Sequence, residues 1–194
     1  MSGISEPLIL ASQSPRRREL LAEAGYSFIV IPPSQSAEPE EPGREKPEEL
    51  VVRLARQKAA DVAARVEQGI VIGCDTVVEC CGQILGKPKN RGHARQILHL
   101  LRGRDHRVYS GLCIIRCPQQ DERSGVEVTH LFMHPIPDGQ IERYLDTGLW
   151  EGKAGAFGLQ DRLGWIEIRQ GSESNVVGLP LELLERLLAG WYAR

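Results

Sequence analysis

The chain has no apolar run that approaches the ~18 residues of a membrane-spanning helix, and its first residues lack the basic-then-apolar order of a secretion signal. A strong charge of either sign is also missing, because 24 basic and 26 acidic side chains leave a formal net charge of −2. A general nucleic-acid coat needs a cationic surface, so we expect neither a nucleic-acid polymer nor a membrane as partner. Any anion must therefore be bound by a local cluster of basic side chains.

The spacing of the cysteines fits neither a disulfide framework nor a zinc site. The five residues are Cys74, Cys80, Cys81, Cys113 and Cys117. Their number is odd, a bridge between the two adjacent residues would be strained, and the pair at 113 and 117 has no second ligand pair at zinc-like spacing. We therefore expect mostly buried thiols in a reducing compartment, and hence a cytoplasmic protein.

Strand and helix patterns alternate along the 194 residues, of which 41% are apolar, as in an ordinary globular protein. The patterns predict strands at 8–11, 28–31, 70–78, 83–85, 106–116, 126–133 and 165–168. They predict helices at 15–24, 47–65, 91–102, 138–145 and 180–192. Residues 118–125 are expected to form a polar loop, and 73–75 to interrupt the third strand. This alternation predicts an α/β fold with a mixed sheet.

The most informative segment is 8–21, where a short apolar stretch is followed by Ser-Gln-Ser-Pro and three arginines. Ser14 is a suitable N-cap, and Pro15 fits the first position of a helix. The cations at 16–18 are unfavourable there, because the N–H groups and the dipole of a helix start favour negative charge. Two interpretations stay open: a polyphosphate bound by N–H groups, hydroxyls and guanidinium groups, or a solvated basic turn.

Asp75 is the sharpest single candidate for chemistry, since it stands within a nearly continuous apolar strand. A carboxylate in that position is costly unless it is paired, bound to a metal or directed into a cleft. It is therefore a turn cap, a metal ligand or a general base. Thr76 points to the opposite face in a regular strand, and a bend would let both side chains face one ligand.

Lys58 and Lys87 are candidate phosphate contacts. Lys58 falls on the apolar stripe of the helix at 47–65, where its ammonium group either extends into solvent, the favoured interpretation for this residue alone, or reaches a cleft. Lys87 belongs to Gly82-x-x-x-Gly86-Lys87-Pro88, which is one residue too short for a phosphate-binding P-loop and has proline in place of the magnesium-binding hydroxyl. A P-loop NTPase is thus excluded, although Lys87 can still contact a phosphate as a point charge.

Three further side chains have weaker signals. Glu38 lies in an acidic, proline-rich segment and either is solvated or converges with Asp75 on a magnesium-bound phosphate. His106 precedes an alternating strand and is more consistent with a structural role. Gln160 follows glycines at 152, 155 and 158, which permit close backbone approach, and its amide can read a base edge. The alternative for this segment is an irregular surface loop with no role in binding.

Taken together, these motifs resemble the Maf family of nucleoside triphosphate pyrophosphatases. The matching segments are collinear and cover nearly the whole chain: 10–21, Arg53-Leu-Ala-Arg-Gln-Lys58-Ala, Gly73-Cys-Asp75-Thr76-Val, Ile84-Leu-Gly-Lys87-Pro, His106-Arg-Val-Tyr-Ser-Gly, Lys153-Ala-Gly-Ala-Phe-Gly-Leu-Gln160 and Asn175-Val-Val-Gly-Leu-Pro180. The resemblance implies a single domain over 1–194, with an elongated mixed sheet flanked by helices and two lobes around a central cleft. Inosine triphosphate pyrophosphatases share this expected architecture.

The resemblance also implies hydrolysis of a nucleoside triphosphate between the α and β phosphates, with Mg²⁺ or Mn²⁺ as cofactor. Asp75 matches the family's proton acceptor, and Glu38 with Asp75 matches its metal site. Substrate-discriminating positions match Arg16, Thr76 and Gln160. Positions near the phosphates match the remaining candidates, Ser12, Ser14, Arg17, Lys58 and Lys87.

Asp-Thr together with Gly-x-Gln resembles the branch that acts on dTTP and UTP, with CTP or modified pyrimidine nucleotides as further substrates. Two alternatives stay open: the same chemistry on a modified purine nucleotide such as 7-methyl-GTP, or a nucleotide-binding regulator of septum formation. The sequence departs from the family at Cys74, at Cys80-Cys81 and in the long segment around Glu38. A homodimer is a further possibility, with Trp150 or Trp191 at a contact or in the core.

Overall fold

The computed structural model describes residues 6–34 and 45–192, without the side chain of Tyr192. The described residues form seven strands: β1 (Leu8–Ala11), β2 (Phe28–Val30), β3 (Gly69–Cys80), β4 (Gln83–Leu85), β5 (Asp105–Cys117), β6 (Asp121–Met133) and β7 (Ile166–Gln170). Their helices are α1 (Pro15–Glu23), α2 (Pro47–Ala63), α3 (Arg91–Leu101), α4 (Asp138–Asp146), α5 (Glu173–Val177) and α6 (Leu181–Tyr192). Two short 3₁₀ turns, Ala154–Ala156 and Leu159–Asp161, lie between α4 and β7.

The strands form one mixed sheet in the order β2-β1-β3-β5-β6-β7, with β4 paired to β3. β1 is parallel to both β2 and β3, whereas β3 with β4 and β6 with β7 are antiparallel pairs. The predicted α/β class with a mixed sheet flanked by helices is confirmed. The central cleft and the single-domain assignment over 1–194 stay predictions.

The chain divides into two compact units. Unit 1 comprises residues 1–75, 110–127 and 178–194, and unit 2 comprises 76–109 and 128–177. Unit 1 has two groups of buried apolar side chains, one built around Leu10, Leu21 and Leu184 and the other around Ala55, Ala59 and Val71. Unit 2 has its own core, which includes the buried aromatic side chains of Trp150 and Trp165. Of the two alternatives for Trp150, a dimer contact or packing in the core, the structure therefore supports core packing.

Two sequence predictions of local structure are wrong. The expected interruption at 73–75 is absent, because β3 runs unbroken through Gly69–Cys80 and glycine is required there for helix packing, not for a bend. The expected loop at 118–125 shrinks to three residues between β5 and β6, since β6 already begins at Asp121. Exposure on one side of a paired strand permits a polar sequence, so pairing outweighs local propensity there.

Helix α2 approaches β3 closely at Gly73. A Cβ atom added to Gly73 would lie 2.2 Å from the Ala55 carbonyl oxygen and 2.8 Å from the Ala59 Cβ. Because real Cβ atoms do not come this close to other heavy atoms, only glycine permits this distance between the helix and the strand. The small side chains of α2 and the missing side chain of Gly73 together bring the remaining residues of this helix face close to β3.

Four of the five cysteines are buried free thiols, and Cys81 is exposed. Burial raises the pKa of Cys113 to about 12, and burial together with the neighbouring Cys81 thiol raises that of Cys80 to about 11. Because the thiolate is the nucleophile, iodoacetamide at pH 8 should label Cys81 first, and Cys113 only after unfolding. Peptide mass spectrometry of native and denatured protein checks this order. Equal labelling rates at Cys81 and Cys113 in native protein would contradict it.

No helix among the described residues is long and apolar enough to cross a membrane.

Candidate active site

The start of α1 and the middle of β3 meet at one edge of the parallel strands of unit 1. The chain leaves β1 through α1 to β2 on one side, and reaches β3 through α2 on the other side. In open α/β sheets, ligands bind outside the carboxyl ends of strands at the point where connections diverge in this way. Ala11 pairs with Gly73, so the residues that follow β1 lie beside the segment that contains Asp75.

Three of the predicted phosphate-binding residues are linked at the start of α1. Ser14 is the N-cap, and its hydroxyl accepts from the backbone N–H of Arg17. The buried Ser12 hydroxyl accepts from the Ser14 backbone N–H at 3.1 Å and from Arg17 Nη1 at 3.4 Å. The predicted helix start is thus confirmed, and Ser12, Ser14 and Arg17 form one hydrogen-bonded cluster.

Arg17 is also held by a distant part of unit 1. Its Nε donates to the carbonyl oxygen of Gly178 at 2.8 Å, and the same oxygen lies 3.3 Å from the Cys74 thiol. Gly178 therefore orients the guanidinium group from 161 positions away in the sequence. The preceding residue, Arg16, is half-buried at the second position of α1. The first turn of this helix contains no acidic side chain that would offset its three arginines.

Lys58 and Asp75 form an ion pair between α2 and β3. Lys58 Nζ donates to Asp75 Oδ1 at 2.6 Å, and the two side chains are only 8% and 16% exposed. The prediction that Lys58 extends into solvent is wrong, because the close approach of α2 to β3 at Gly73 brings the ammonium group to a carboxylate. A buried lysine and a largely covered aspartate each need such a partner, so the pair explains both exceptions to the apolar pattern.

Arg53 is a residue near this pair to which the sequence analysis gave no role. Its Nε and Nη2 bind the two carboxylate oxygens of Glu45, each at 2.6 Å. These hydrogen bonds raise the pKa of Arg53, and the charge of Asp75 raises it further. The sequence did contain a signal for Arg53, because it lies in the same family-matching segment, 53–59, as Lys58. Both side chains interact electrostatically with the carboxylate of Asp75.

Unit 2 contains the remaining predicted residues that the structure describes. Thr76 follows Asp75 directly on β3 and is half-buried, while Lys87 and Gln160 are exposed. Lys87 lies two residues after β4, and Gln160 lies in the second 3₁₀ turn. The backbone N–H of Gly155 donates to the carbonyl oxygen of Gly86 at 3.2 Å, which joins the segment before Gln160 to the segment of Lys87.

Two further residues from the sequence analysis, Glu38 and His106, are not among the candidate site residues that the structure places. Glu38 falls outside the described residues, so its place in a metal site stays a prediction. His106 is buried in unit 2, where its ring meets Phe157 edge-on and its Nδ1 lies 3.3 Å from the Arg104 carbonyl oxygen. Burial lowers the pKa of His106, as expected for a neutral structural histidine.

The donor set of unit 1 fits a metal that arrives with its substrate. Within 6–34 and 45–192, no group of three or more His, Cys, Asp or Glu side chains could hold a metal ion. Mg²⁺ is commonly bound by one or two carboxylates together with substrate phosphates, so Asp75 suits such a site without a complete protein cage. The hydroxyl and guanidinium groups at the start of α1 are of the kinds that bind phosphate oxygens in proteins.

Comparison with known proteins identifies the family of this chain. The profile of the family described as "Maf-like protein" matches residues 7–191. A dTTP/UTP pyrophosphatase from Rhodopirellula baltica is 52% identical, covering 94% of this chain and 81% of the relative. A dTTP/UTP pyrophosphatase from Carboxydothermus hydrogenoformans is 42% identical, covering 95% of this chain and 98% of the relative. A third dTTP/UTP pyrophosphatase, from Thermococcus gammatolerans, is 44% identical and covers 93% of this chain and 94% of the relative. The chain belongs to the Maf family.

Proposed function

We propose that this chain hydrolyses nucleoside triphosphates, with dTTP and UTP preferred, between the α and β phosphates to give the monophosphate and pyrophosphate. The observation that carries this proposal is the buried pair of Lys58 and Asp75 beside the hydroxyl and arginine cluster of α1. Relatives named dTTP/UTP pyrophosphatase, at 38–52% identity over most of the chain, support the same substrate class. Neither a modified purine substrate nor a septum regulator is favoured by these relatives.

In this proposal, one group of residues binds the triphosphate and another accepts the proton. Ser12, Ser14 and Arg17 bind phosphate oxygens at the helix start, and Lys87 contacts the triphosphate as a point charge. Lys58 holds one carboxylate oxygen of Asp75, which fixes the orientation of the other as acceptor of a proton from the attacking water. Phosphoryl-type transition states are loose, so positioning and charge neutralisation supply most of the catalysis.

The proposed cofactor is a divalent cation, Mg²⁺ or Mn²⁺, held by Asp75 and Glu38 together with the nucleotide phosphates. When bound, it neutralises phosphate charge and polarises the reacting phosphoryl group. We place the reaction in the cytoplasm, in keeping with the free thiols. A homodimer remains part of the proposal.

A pyrophosphate-release assay tests the function. The purified protein is incubated with dTTP, UTP, CTP, the purine triphosphates and 7-methyl-GTP, with Mg²⁺, Mn²⁺ or a chelator. We expect dTTP and UTP to be the best substrates, and the monophosphate and pyrophosphate to be the products. Release of orthophosphate instead, or a preference for purines, would contradict the proposal.

Replacement of Gln160 by alanine tests the assignment of base recognition. The amide offers both a donor and an acceptor to a base edge, and a good bidentate contact of this kind gives about 1–3 kcal/mol of discrimination. We expect the ratio of kcat/KM for dTTP to that for a purine triphosphate to fall about tenfold, with kcat for dTTP little changed. Gln170→Ala, at the exposed end of β7, is the matched control. An unchanged ratio in Gln160→Ala would remove this residue from base recognition.

A further inference from the structure

A second buried ion pair lies in unit 2, beside Gln160. Lys153 Nζ contacts the two carboxylate oxygens of Asp161 at 2.5 and 2.6 Å. The side chains are only 11% and 8% exposed. The pair joins the two ends of the segment 153–161, so it closes the loop that carries Gln160. None of the chemistry assigned so far uses this pair.

The carboxylate of Asp161 has two further donors. The Tyr144 hydroxyl from α4 donates to Oδ2 at 2.8 Å, and the Gly158 backbone N–H donates to the same oxygen at 3.1 Å. The Tyr144 ring in turn packs on Trp165, with ring centroids 5.2 Å apart. Asp161 thus ties its own loop to the core of unit 2 through a lysine, a tyrosine and a backbone amide.

The loop backbone is held in conformations that need such support. Gly155, Ala156 and Arg162 all have positive φ angles, of 73°, 62° and 51°. For residues with a side chain, this left-handed region costs roughly 1 kcal/mol or more and persists where surrounding contacts fix it. Lys153 also packs against Gly158, where an added Cβ would lie 2.9 Å from the ammonium nitrogen.

Gln160 is the neighbour of Asp161 in the same 3₁₀ turn, and its own side chain is exposed. An exposed glutamine has many rotamers, and a base contact gains affinity when the backbone that carries the amide is fixed before binding. The Asp161 contacts fix the backbone on both sides of Gln160, at Gly158 and at Asp161 itself.

We propose that Lys153, Asp161 and Tyr144 are positioning residues that set substrate specificity by holding Gln160 for recognition of the pyrimidine base. This inference rests on the proposed function, because it assigns no chemistry of its own. The three side chains act through the loop and do not touch the reacting atoms. Their loss therefore changes which base is preferred, whereas the cleavage step itself is retained.

The test measures kcat and KM for dTTP and for a purine triphosphate in Lys153→Met and in Gln160→Ala, singly and combined. We expect Lys153→Met to lower the dTTP-to-purine ratio of kcat/KM about tenfold, through KM for dTTP, as Gln160→Ala does. The double variant should be no less selective than Gln160→Ala alone, because both changes remove the same contact. Asp146→Asn, which alters an exposed ion pair with Arg91, is the control.

A conservative substitution and a backbone measurement provide two further tests of this network. Tyr144→Phe removes only one hydroxyl and should shift the ratio in the same direction by about twofold, in keeping with one lost hydrogen bond. Hydrogen exchange of the peptide 153–162, measured without nucleotide, should accelerate in Lys153→Met.

The outcomes separate this inference from the proposed function. If Gln160→Ala changes the ratio while Lys153→Met and Tyr144→Phe lower kcat/KM equally for both nucleotides, the network is merely structural and the inference is overturned. If Gln160→Ala leaves the ratio unchanged, the base-recognition role of Gln160 fails, and the positioning role fails with it. A wild-type protein that hydrolyses no triphosphate overturns the proposed function itself.

Discussion

Asp75→Asn is expected to lower kcat for dTTP by about 10²- to 10⁴-fold, the range for loss of a general base. Asparagine keeps the shape of the side chain and can still accept a hydrogen bond from Lys58 through its amide oxygen. It cannot take a proton from water at neutral pH, so the loss falls on the chemical step. Steady-state kinetics in the pyrophosphate-release assay measure this effect.

Measuring nucleotide binding by Asp75→Asn shows whether the substitution affects the chemical step alone or substrate binding as well. Because the proposed phosphate contacts of Ser12, Ser14, Arg17 and Lys87 remain in this variant, we expect the dissociation constant of dTTP, measured by calorimetry without a divalent cation, to change by less than about threefold. Asp61→Asn is a matched control on α2, since Asp61 also binds a basic residue, Arg65, at 2.7 Å. It should retain wild-type kcat. Turnover within a factor of about three of wild type in Asp75→Asn would remove this carboxylate from the mechanism.

Gly73→Ala is expected to destabilise unit 1 and to abolish most activity. The new methyl group would meet the Ala55 carbonyl oxygen and the Ala59 backbone, neither of which is the flexible end of a side chain. Overpacking of this kind costs about 3 kcal/mol. For a chain of this length, we expect the Tm to fall by about 6–12 °C. Calorimetric unfolding measures this shift.

The same variant should lower kcat, because α2 must move away from β3 and carry Lys58 with it. A displacement of about 1 Å in a site of this type costs about 10²-fold in rate. Gly139→Ala, in the first turn of α4, is the control, since the nearest atom to an added Cβ is the flexible Arg143 guanidinium at 3.7 Å. It should leave the Tm unchanged or raise it. A Gly73→Ala protein with the wild-type Tm would show that the packing of α2 on β3 tolerates a side chain.

Several features of the site are visible in the sequence because they depend on residues within about one helical turn. The capped helix start at Ser14 and Pro15 is local, and the structure confirms it. The sequence also identifies Asp75 as a candidate, because a charge in a buried strand needs a partner. The sequence could not name that partner, since Lys58 and Asp75 meet only through the packing of α2 on β3.

Other predictions failed where local preference and long-range pairing disagree. The apolar stripe favoured a solvated ammonium group for Lys58 over one that reaches a cleft, and only the approach at Gly73 decides against it. The polar sequence after residue 120 is typical of a loop, yet it pairs as the beginning of β6. In both cases, contacts with a distant segment outweigh the local signal.

The sequence by itself determined the α/β class, the family and the identity of the acidic and basic residues, because periodicity, caps and motif spacing are properties of neighbouring positions. Only the tertiary structure decided that Gly178 orients Arg17, that Lys58 binds Asp75 and that Lys153 and Tyr144 hold Asp161 beside Gln160. The physical reason is that each of these contacts requires a particular strand register or a close helix approach. Such geometry arises from the packing of the whole unit, and no local stretch of sequence contains it.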